Sequence, residues 1–229
     1  MYRYEMHMHT VESSLCGHST IEEMVKAYHK LGFAGAVVTN HFIGGNTAVD
    51  RSLPWEQLVE EYSRCWYEGQ KTARELDFDL LFGVEEGYGE GKEFLVYGLE
   101  PEILKAHPEL RNGGLKVWSK VVREVGGVLI YAHPFRQRGY IPDGRVMPDM
   151  AWAEGVELYN RCNTDEDNAE AVRVFGGMNC IKTAGSDWHR DDFIEAYGIV
   201  SDKRLCTGKE LAEALKAGEF RRWLGDKVE

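Results

Sequence analysis

The sequence lacks the features that mark secreted and membrane-spanning proteins. Its five cysteines are odd in number and none forms a CxxC pair, which predicts reduced intracellular thiols rather than a disulfide framework. The first residues show no basic segment followed by an apolar one, so no secretory leader is expected. Apolar runs such as residues 127–132 are far too short to span a bilayer. We therefore expect a cytoplasmic protein with no membrane partner.

Positive charge is also scarce. The chain has 27 Lys and Arg against 38 Asp and Glu, a net charge of −11. A protein that covers nucleic-acid phosphates is usually basic, so no nucleic acid is expected as a stable partner. A small phosphorylated substrate stays compatible with this charge, because bound divalent cations would reverse the local field.

What the sequence does contain is a regular alternation of strand and helix patterns over 229 residues, 43% of them hydrophobic. Strands are predicted over residues 2–6, 36–39, 80–84, 94–97, 127–132, 155–159, 180–184 and 196–200. Helices are predicted over 20–31, 55–76, 115–125, 165–175 and 207–217. This order favours parallel βαβ units, and no linker divides the chain. We expect one α/β barrel-like domain covering residues 1–229.

Histidines and carboxylates follow the predicted strands at the point where each strand ends. These residues are His7, His9, His41, Glu85, Glu86, His133, Asp187 and His189. In a parallel barrel the carboxyl ends of the strands converge on one face, and catalytic groups come from several strands there. Any one of these groups alone would be an ordinary surface or core residue. Their shared position predicts a single site.

The chemistry of this set points to a metal centre. His7 and His9 are one residue apart, so on an extended segment both imidazoles point to the same side. Asp187 and His189 repeat that spacing. Imidazole together with carboxylate suits Zn, Fe or Mn. His133 precedes Pro134, which keeps it extended, although a satisfied core histidine is the alternative for this position.

Six short motifs in register resemble the PHP (polymerase and histidinol phosphatase) family over nearly the whole chain. They are Glu5 to Thr10, the Cys16-Gly17-His18 triplet, Thr39-Asn40-His41, Gly83-Val84-Glu85, Ala132-His133-Pro134 and Gly185 to His189. The resemblance implies a distorted (β/α)7 barrel that hydrolyses phosphoesters with two or three divalent metals. It implies that His7, His9, Glu85 and Asp187 hold one metal. It assigns His133 with Glu85 to a second metal, and His18, His41 and His189 to a third.

Two positions depart from the family pattern. Glu5 stands where the family usually has aspartate, and Glu93 stands where a further histidine is common. Glu93 either replaces that imidazole as a ligand or leaves the second metal weakly held. The Gly-x-Glu register favours Glu85 over Glu86 as the bridging acid. Cys16 is a further ligand candidate, but a small buried residue is the commoner role for such a cysteine.

These residues predict hydrolysis by a metal-activated water, with Asp187 and His133 in the catalytic set. Arg136 follows His133 on the same loop and is expected to hold a phosphate through two parallel hydrogen bonds; Arg138 has no clear role. Glu157 and Asn160 are expected to orient ligands. Two alternatives stay open: hydrolysis of a non-phosphate bond by an amidohydrolase-like enzyme, and a metal-binding domain that regulates a partner.

Overall fold

A curled sheet organises the protein, and this computed structural model describes residues 1–193 and 195–229. The strands of the described part are β1 (Tyr2–Met8), β2 (Gly35–Val38), β3 (Asp79–Gly89), β4 (Lys92–Tyr97), β5 (Val128–Tyr131), β6 (Gly155–Asn160), β7 (Ile181–Gly185), β8 (Tyr197–Ser201), β9 (Arg221–Leu224) and β10 (Lys227–Val228). Their order across the sheet is β10-β9-β8-β1-β2-β3-β4-β5-β6-β7. The sheet forms a half-barrel, so the predicted α/β class is confirmed.

The helices lie largely where the apolar periodicity predicts them. They are α1 (Ile21–Lys30), α2 (Trp55–Glu75), α3 (Pro101–Lys105), α4 (Gly114–Glu124), α5 (Asp165–Phe175) and α6 (Gly208–Ala217), with short 3-10 turns at Pro108–Arg111 and Met150–Trp152. The Thr20 hydroxyl accepts from the backbone N–H of Glu23, and the Glu23 side chain accepts from the backbone N–H of Thr20, so the two residues form a capping box at the start of α1. Helix α6 ends at Gly218, whose φ of 68° is the left-handed conformation that glycine adopts most easily.

The expectation of parallel βαβ units throughout is wrong at two places. Strands β3 and β4 form an antiparallel hairpin, and β4 is antiparallel to β5 as well. The hairpin turns at Glu90 and Gly91, with φ values of 54° and 71°, so no crossover helix separates these strands. Strand β8 runs antiparallel to β1, and β9 and β10 extend that edge. The sheet therefore departs from a (β/α)7 count.

The first and last strands of the parallel part approach each other at their carboxyl ends. The Asp187 N–H donates to the His7 carbonyl at 2.6 Å, and the His9 N–H donates to the Trp188 carbonyl at 2.9 Å. The buried Glu5 carboxylate reinforces this closure. Its Oε1 accepts the backbone N–H groups of Met6, His7 and Ser186 at 2.8–2.9 Å. The ends of β1 and β7 are thus held beside one another.

Apolar side chains fill both sides of the sheet. Met6, Leu95 and Ile130 belong to a buried cluster that also includes Leu211 and Leu215 of α6. Further buried clusters lie beneath α1 and α2 and beneath α4 and α5. Burial on both faces explains why the parallel strands are continuous apolar runs. No helix among the described residues is long and apolar enough to cross a membrane.

Candidate metal centre

Eight of the nine predicted metal ligands meet at the carboxyl ends of the strands. Their nitrogen and oxygen atoms form four overlapping groups, in each of which all atoms lie within 4.8 Å of one another. The groups are His7, His9 and Glu85; His7, His133 and Asp187; His41, Glu85 and Glu93; and His9, His41 and His189. Several members are shared between groups. The arrangement therefore offers positions for more than one cation.

Glu85 lies at the centre of these groups. Its Oε1 is 3.0 Å from His7 Nε2 and 3.3 Å from His133 Nε2. Its Oε2 is 3.4 Å from His9 Nε2 and 2.8 Å from His41 Nδ1. Each carboxylate oxygen thus faces a different pair of imidazoles. A carboxylate in this position can bridge two cations.

A hydrogen bond on the Nδ1 side of the His7 ring fixes the tautomer of that residue. The carboxylate of Glu157 can only accept when ionised, and its Oε1 lies 3.0 Å from His7 Nδ1. His7 therefore carries a proton on Nδ1 and directs Nε2 into the site. The same carboxylate accepts from the backbone N–H of His133 and the side-chain amide of Asn160. A carboxylate that orients an imidazole in this way is common behind metal ligands.

The tautomer of His9 follows from the hydrogen bonds that Asn40 and Ser14 make. Asn40 Oδ1 accepts from the backbone N–H of Thr10 at 2.7 Å, which fixes the orientation of the amide. Ser14 Oγ donates to the same Oδ1 at 2.8 Å and accepts from the backbone N–H of His41. Because the hydroxyl hydrogen is used, Ser14 Oγ accepts from His9 Nδ1, 3.3 Å away. His9 Nε2 is therefore a lone pair that faces the site.

When both rings are neutral, the inward-facing atoms are consequently all acceptors. His7 Nε2 and His9 Nε2 are 3.1 Å apart, and Asp187 Oδ1 lies 3.1 Å from the second of them. Lone pairs at such distances repel unless a cation or a proton lies among them. Tetrahedral ligands at 2.0–2.1 Å from a Zn ion are about 3.3 Å apart, close to the separations seen here. The residues present therefore fit a divalent cation.

Two buried atoms support the same conclusion. His41 Nδ1 and Glu85 Oε2 approach to 2.8 Å, yet among the described residues neither atom has a partner with the geometry of a hydrogen bond. Buried polar atoms are nearly always satisfied. A cation coordinated by both would satisfy them.

Burial and neighbouring charges shift the pKa values of the site residues away from their usual ranges. Burial alone would lower the pKa of His7, but the charges of Asp187 and Glu85 raise it well above its usual range. Burial and the neighbouring imidazoles of His41 and His189 lower the pKa of His9 well below its usual range. Burial would raise the pKa of Asp187, yet Arg136 and His7 hold it well below normal. A proton on His7 thus occupies the place that a cation would take, and metal binding would release it.

Arg136 is buried behind Asp187. Its Nη2 donates to Asp187 Oδ2 at 2.5 Å and to Asn160 Oδ1 at 2.9 Å, while its Nε donates to Asn163 Oδ1 at 2.8 Å. The Nε–Nη2 edge of the guanidinium is therefore already used by protein acceptors. Arg138, two residues later, donates only to the backbone carbonyls of Gln137 and Cys162.

Asp187 and His133 both have strained backbones. Their φ values are 58° and 29°, in the left-handed region that non-glycine residues seldom adopt. The expectation that Pro134 keeps His133 extended is therefore wrong. Such strain persists where surrounding contacts over-determine it, and it clusters at functional sites. For Asp187 those contacts include the hydrogen bond from its N–H to the His7 carbonyl. The strain turns both side chains toward the centre.

A cavity of about 410 Å³ opens above the ligand groups. Its walls include Cys16, His41, Gly44, Gly45, Asn46, Gly91, Glu93, His133, Arg136, Tyr140, Asp187 and His189. Tyr140 is 63% exposed at the mouth. Tyr140 and Ser14 carry no signal in the sequence that would assign them to the site, because no spacing rule connects such residues to a metal ligand.

Two other carboxylates near the site, Glu93 and Glu86, have surroundings that differ from those of Glu85. Glu93 is partly exposed at the cavity wall, with Oε1 at 3.2 Å from His41 Nδ1 and Oε2 at 3.5 Å from His133 Nε2. Glu86 points away from the ligand groups, where its Oε1 accepts from the Gly44 N–H at 2.5 Å. Burial raises the pKa of Glu86 to about 8.

The ninth predicted ligand, His18, does not join any of the four groups and is exposed to solvent. Cys16, two residues earlier, lines the cavity with His41 and His189. Burial would raise the pKa of the Cys16 thiol, but the neighbouring imidazoles of His189 and His41 lower it to about 6.

Comparisons with known proteins confirm the PHP-like resemblance in the fold. A two-domain protein from Bacteroides vulgatus, described as containing a predicted PHP-like metal-dependent phosphoesterase, superposes with a TM-score of 0.73 at 15% identity. The match covers 99% of this chain and 66% of that one, so this chain spans just under two thirds of its length. No family sequence model matches the chain, and no curated protein matches it in sequence.

Two further solved structures share the fold but differ in described activity. An amidohydrolase from Chromobacterium violaceum, solved with bound sulfate and no metal, gives a TM-score of 0.56 at 14% identity and 98% coverage of both chains. The lesion-specific endonuclease PfuEndoQ from Pyrococcus furiosus gives 0.61 at 11% identity, over 94% of this chain and 56% of that one. At these identities the likeness concerns the fold, and function must be argued from the site.

Proposed function

We propose that residues 1–229 act as one metal-dependent phosphoesterase domain that hydrolyses a small phosphorylated metabolite. The observation that carries this proposal is the convergence of potential ligand atoms around Glu85, with His7 Nε2 and His9 Nε2 only 3.1 Å apart and the Nδ1 of each ring already hydrogen-bonded to a protein acceptor. Such a cluster requires positive charge. The histidine and carboxylate set suits Zn, Mn or Fe.

The overlap of the groups supports two or three cations. His7, His9, Glu85 and Asp187 would hold the first. His133, Glu85 and Glu93 would hold the second, with His41 within reach. His41 and His189 belong to a third position. When bound, such cations lower the pKa of a coordinated water and neutralise phosphoryl charge during in-line displacement.

The protein residues supply position and charge around that chemistry. Asp187 stays ionised because its pKa is held well below normal, so it serves as a ligand rather than as a base. Arg136 fixes the second oxygen of Asp187 and lines the cavity. Since its Nε and Nη2 are already hydrogen-bonded, only the Nη1 side of the guanidinium is available to a phosphate oxygen. Arg136 thus orients Asp187 and adds one charged contact to the substrate.

The size of the cavity supports a small substrate. A volume of about 410 Å³ lies in the lower part of the range of small-molecule pockets. The backbones of Gly44, Gly45 and Gly91 line part of it, which leaves room beside the ligand groups. The net charge of −11 would repel an extended nucleic-acid backbone.

Amide hydrolysis is the second candidate, because an amidohydrolase shares the fold over 98% of both chains. Among the described residues no lysine lines the cavity, so a lysine-bridged metal pair is not supported here. The test is a panel of phosphomonoesters, phosphodiesters and amides, assayed with Zn, Mn and Fe. We expect turnover of small phosphomonoesters or phosphodiesters; turnover confined to amides would reject the phosphoesterase proposal.

Matched histidine variants make the panel decisive. His9→Ala removes an inward-facing lone pair, and we expect at least about a hundredfold loss in kcat/KM. His107→Ala is the control, because His107 pairs with Glu109 outside the ligand groups. Equal activity of the two variants, with metal content unchanged, would contradict the assignment of the site.

A further inference from the structure

We infer that Glu93 adapts one cation position of this centre to Mn²⁺, while the buried position around His7 and His9 takes Zn²⁺. The inference rests on the proposed metal centre and specifies which cation each part of it holds. The position concerned is the group of His41, Glu85 and Glu93, which we term the Glu93 position. Of the four ligand groups among the described residues, it is the one that contains two carboxylates.

Both carboxylates of the Glu93 position converge on the same ring nitrogen of His41. His41 Nδ1 lies 2.8 Å from Glu85 Oε2 and 3.2 Å from Glu93 Oε1. The second oxygen of Glu93 faces His133, whose Nε2 is 3.5 Å away. Glu93 therefore adds oxygen ligands at a place that would otherwise offer only imidazoles and Glu85.

Unsatisfied buried atoms mark this position as a binding site. His41 is 8% exposed and Glu85 is fully buried, yet His41 Nδ1 and Glu85 Oε2 have no hydrogen-bond partner among the described residues. Buried polar atoms are nearly always satisfied. A proton between these two atoms would need a nearly linear N–H···O arrangement, whereas a cation coordinated by both has no such requirement. The pair therefore fits a cation better than a shared proton.

The surroundings of the two positions favour different cations. His7 and His9 are fully buried, and a closed shell of imidazoles and carboxylates suits four-coordinate Zn²⁺. Glu93 is instead 14% exposed and lines the cavity, so water can enlarge the coordination shell there. Carboxylate and water oxygens in an octahedral shell suit Mn²⁺. The imidazole nitrogen of His41 disfavours Ca²⁺ and Mg²⁺, which take oxygen ligands.

This selectivity is a difference between positions. Zn²⁺ binds more tightly than Mn²⁺ to most sites of nitrogen and oxygen, so enough Zn²⁺ would displace Mn²⁺ from both. We expect the displacement to occur in two phases, with the Glu93 position exchanging at a Zn²⁺ concentration at least about tenfold higher than the buried position.

Electron paramagnetic resonance of the whole protein measures this exchange. Metal-free protein is loaded with Mn²⁺ and titrated with Zn²⁺, and each released Mn²⁺ ion restores the sharp spectrum of the free aqueous ion. Glu93→His is expected to shift the late phase to at least about tenfold lower Zn²⁺, because an imidazole replaces the carboxylate. Glu90→His is the matched control, since Glu90 is exposed in the same hairpin and belongs to none of the ligand groups; its two phases should match those of the wild type.

Single-phase release from the wild-type protein, or an unchanged late phase in Glu93→His, overturns the inference. Glu93→Gln keeps the size of the side chain and removes its charge, so it should retain one Mn²⁺ ion fewer after desalting. A change in KM with unaltered Mn²⁺ retention in this variant would make Glu93 a substrate contact and would also overturn the inference. Two-phase release without phosphoester turnover would reject the phosphoesterase proposal only. Turnover with single-phase release would reject the Mn²⁺ assignment only.

Discussion

The contact between Arg136 and Asp187 gives the sharpest quantitative prediction. In metal-free protein the guanidinium is the nearest fixed positive charge to the buried Asp187, and it also donates to Asn160 and Asn163. Arg136→Met preserves the apolar stem and removes all three hydrogen bonds. Asn160 Oδ1 keeps one donor, the backbone N–H of Cys162. The main loss is therefore the uncompensated carboxylate.

The expected magnitude follows from the burial of the pair, whose side chains are 8% and 4% exposed. Removing one partner of a buried ion pair costs roughly 3–5 kcal/mol. For a chain of this size each kcal/mol lowers the Tm by roughly 2–4 °C. We thus expect Arg136→Met to lower the Tm of the metal-free protein by roughly 6–20 °C. A cation bound beside Asp187 would replace part of the lost charge, so the drop in metal-loaded protein should be smaller.

Thermal unfolding of wild type and variant, each with chelator and with Zn, measures this difference. Arg138→Met is the matched control, because Arg138 donates only to two backbone carbonyls, and we expect a change within about 1 kcal/mol. Arg136→Lys should recover only part of the loss, since an ammonium lacks the planar fork. Equal losses for the two methionine variants would refute the role of the ion pair. A cost independent of metal would show that Asp187 is not shared between Arg136 and a cation.

Three other perturbations have defined outcomes. Chelation should lower the Tm by roughly 5–11 °C if metal is present at about 100 times its Kd, and differential scanning fluorimetry with Zn added back checks reversal; an unchanged Tm speaks against a bound metal. The raised pKa of Glu86, about 8 against an ordinary 4.5, means that its neutral form favours the folded state; this contribution is full below pH 4.5 and is lost as pH rises toward 8. Urea unfolding at several pH values should therefore show a flatter profile for Glu86→Gln, by a few kcal/mol across the window, and parallel profiles would count against it. Glu5→Ala strands three buried N–H groups at roughly 1–3 kcal/mol each, whereas Glu5→Gln keeps an acceptor; equal urea midpoints for the two variants would contradict this.

The sequence predicts the elements better than their connections. Apolar periodicity and capping residues locate α1 and α6 within one residue at each end, because capping depends on local chemistry. Local sequence chemistry does not determine whether β4 runs parallel or antiparallel to its neighbours. Residues 92–97 form an apolar strand whether it runs parallel or antiparallel, and only the turn at Glu90 and Gly91 distinguishes the two. The shortness of the glycine-rich segment 87–91 is the signal that separates a hairpin from a crossover.

In the candidate site too, the side chains on strands are easier to predict from the sequence than the side chains in loops. Strand ends place His7, Glu85 and Asp187 on one face because parallel strands must end there. The loop after β1 obeys no such rule, and the Cys16-Gly17-His18 triplet presents two ligand types two residues apart. Backbone contacts from Asn46 and His189, distant in sequence, determine which of them faces the cavity. The spacing within a motif therefore predicts which side chains of a strand share a face, where side chains alternate, but in loops the three-dimensional contacts decide which side chain faces the cavity.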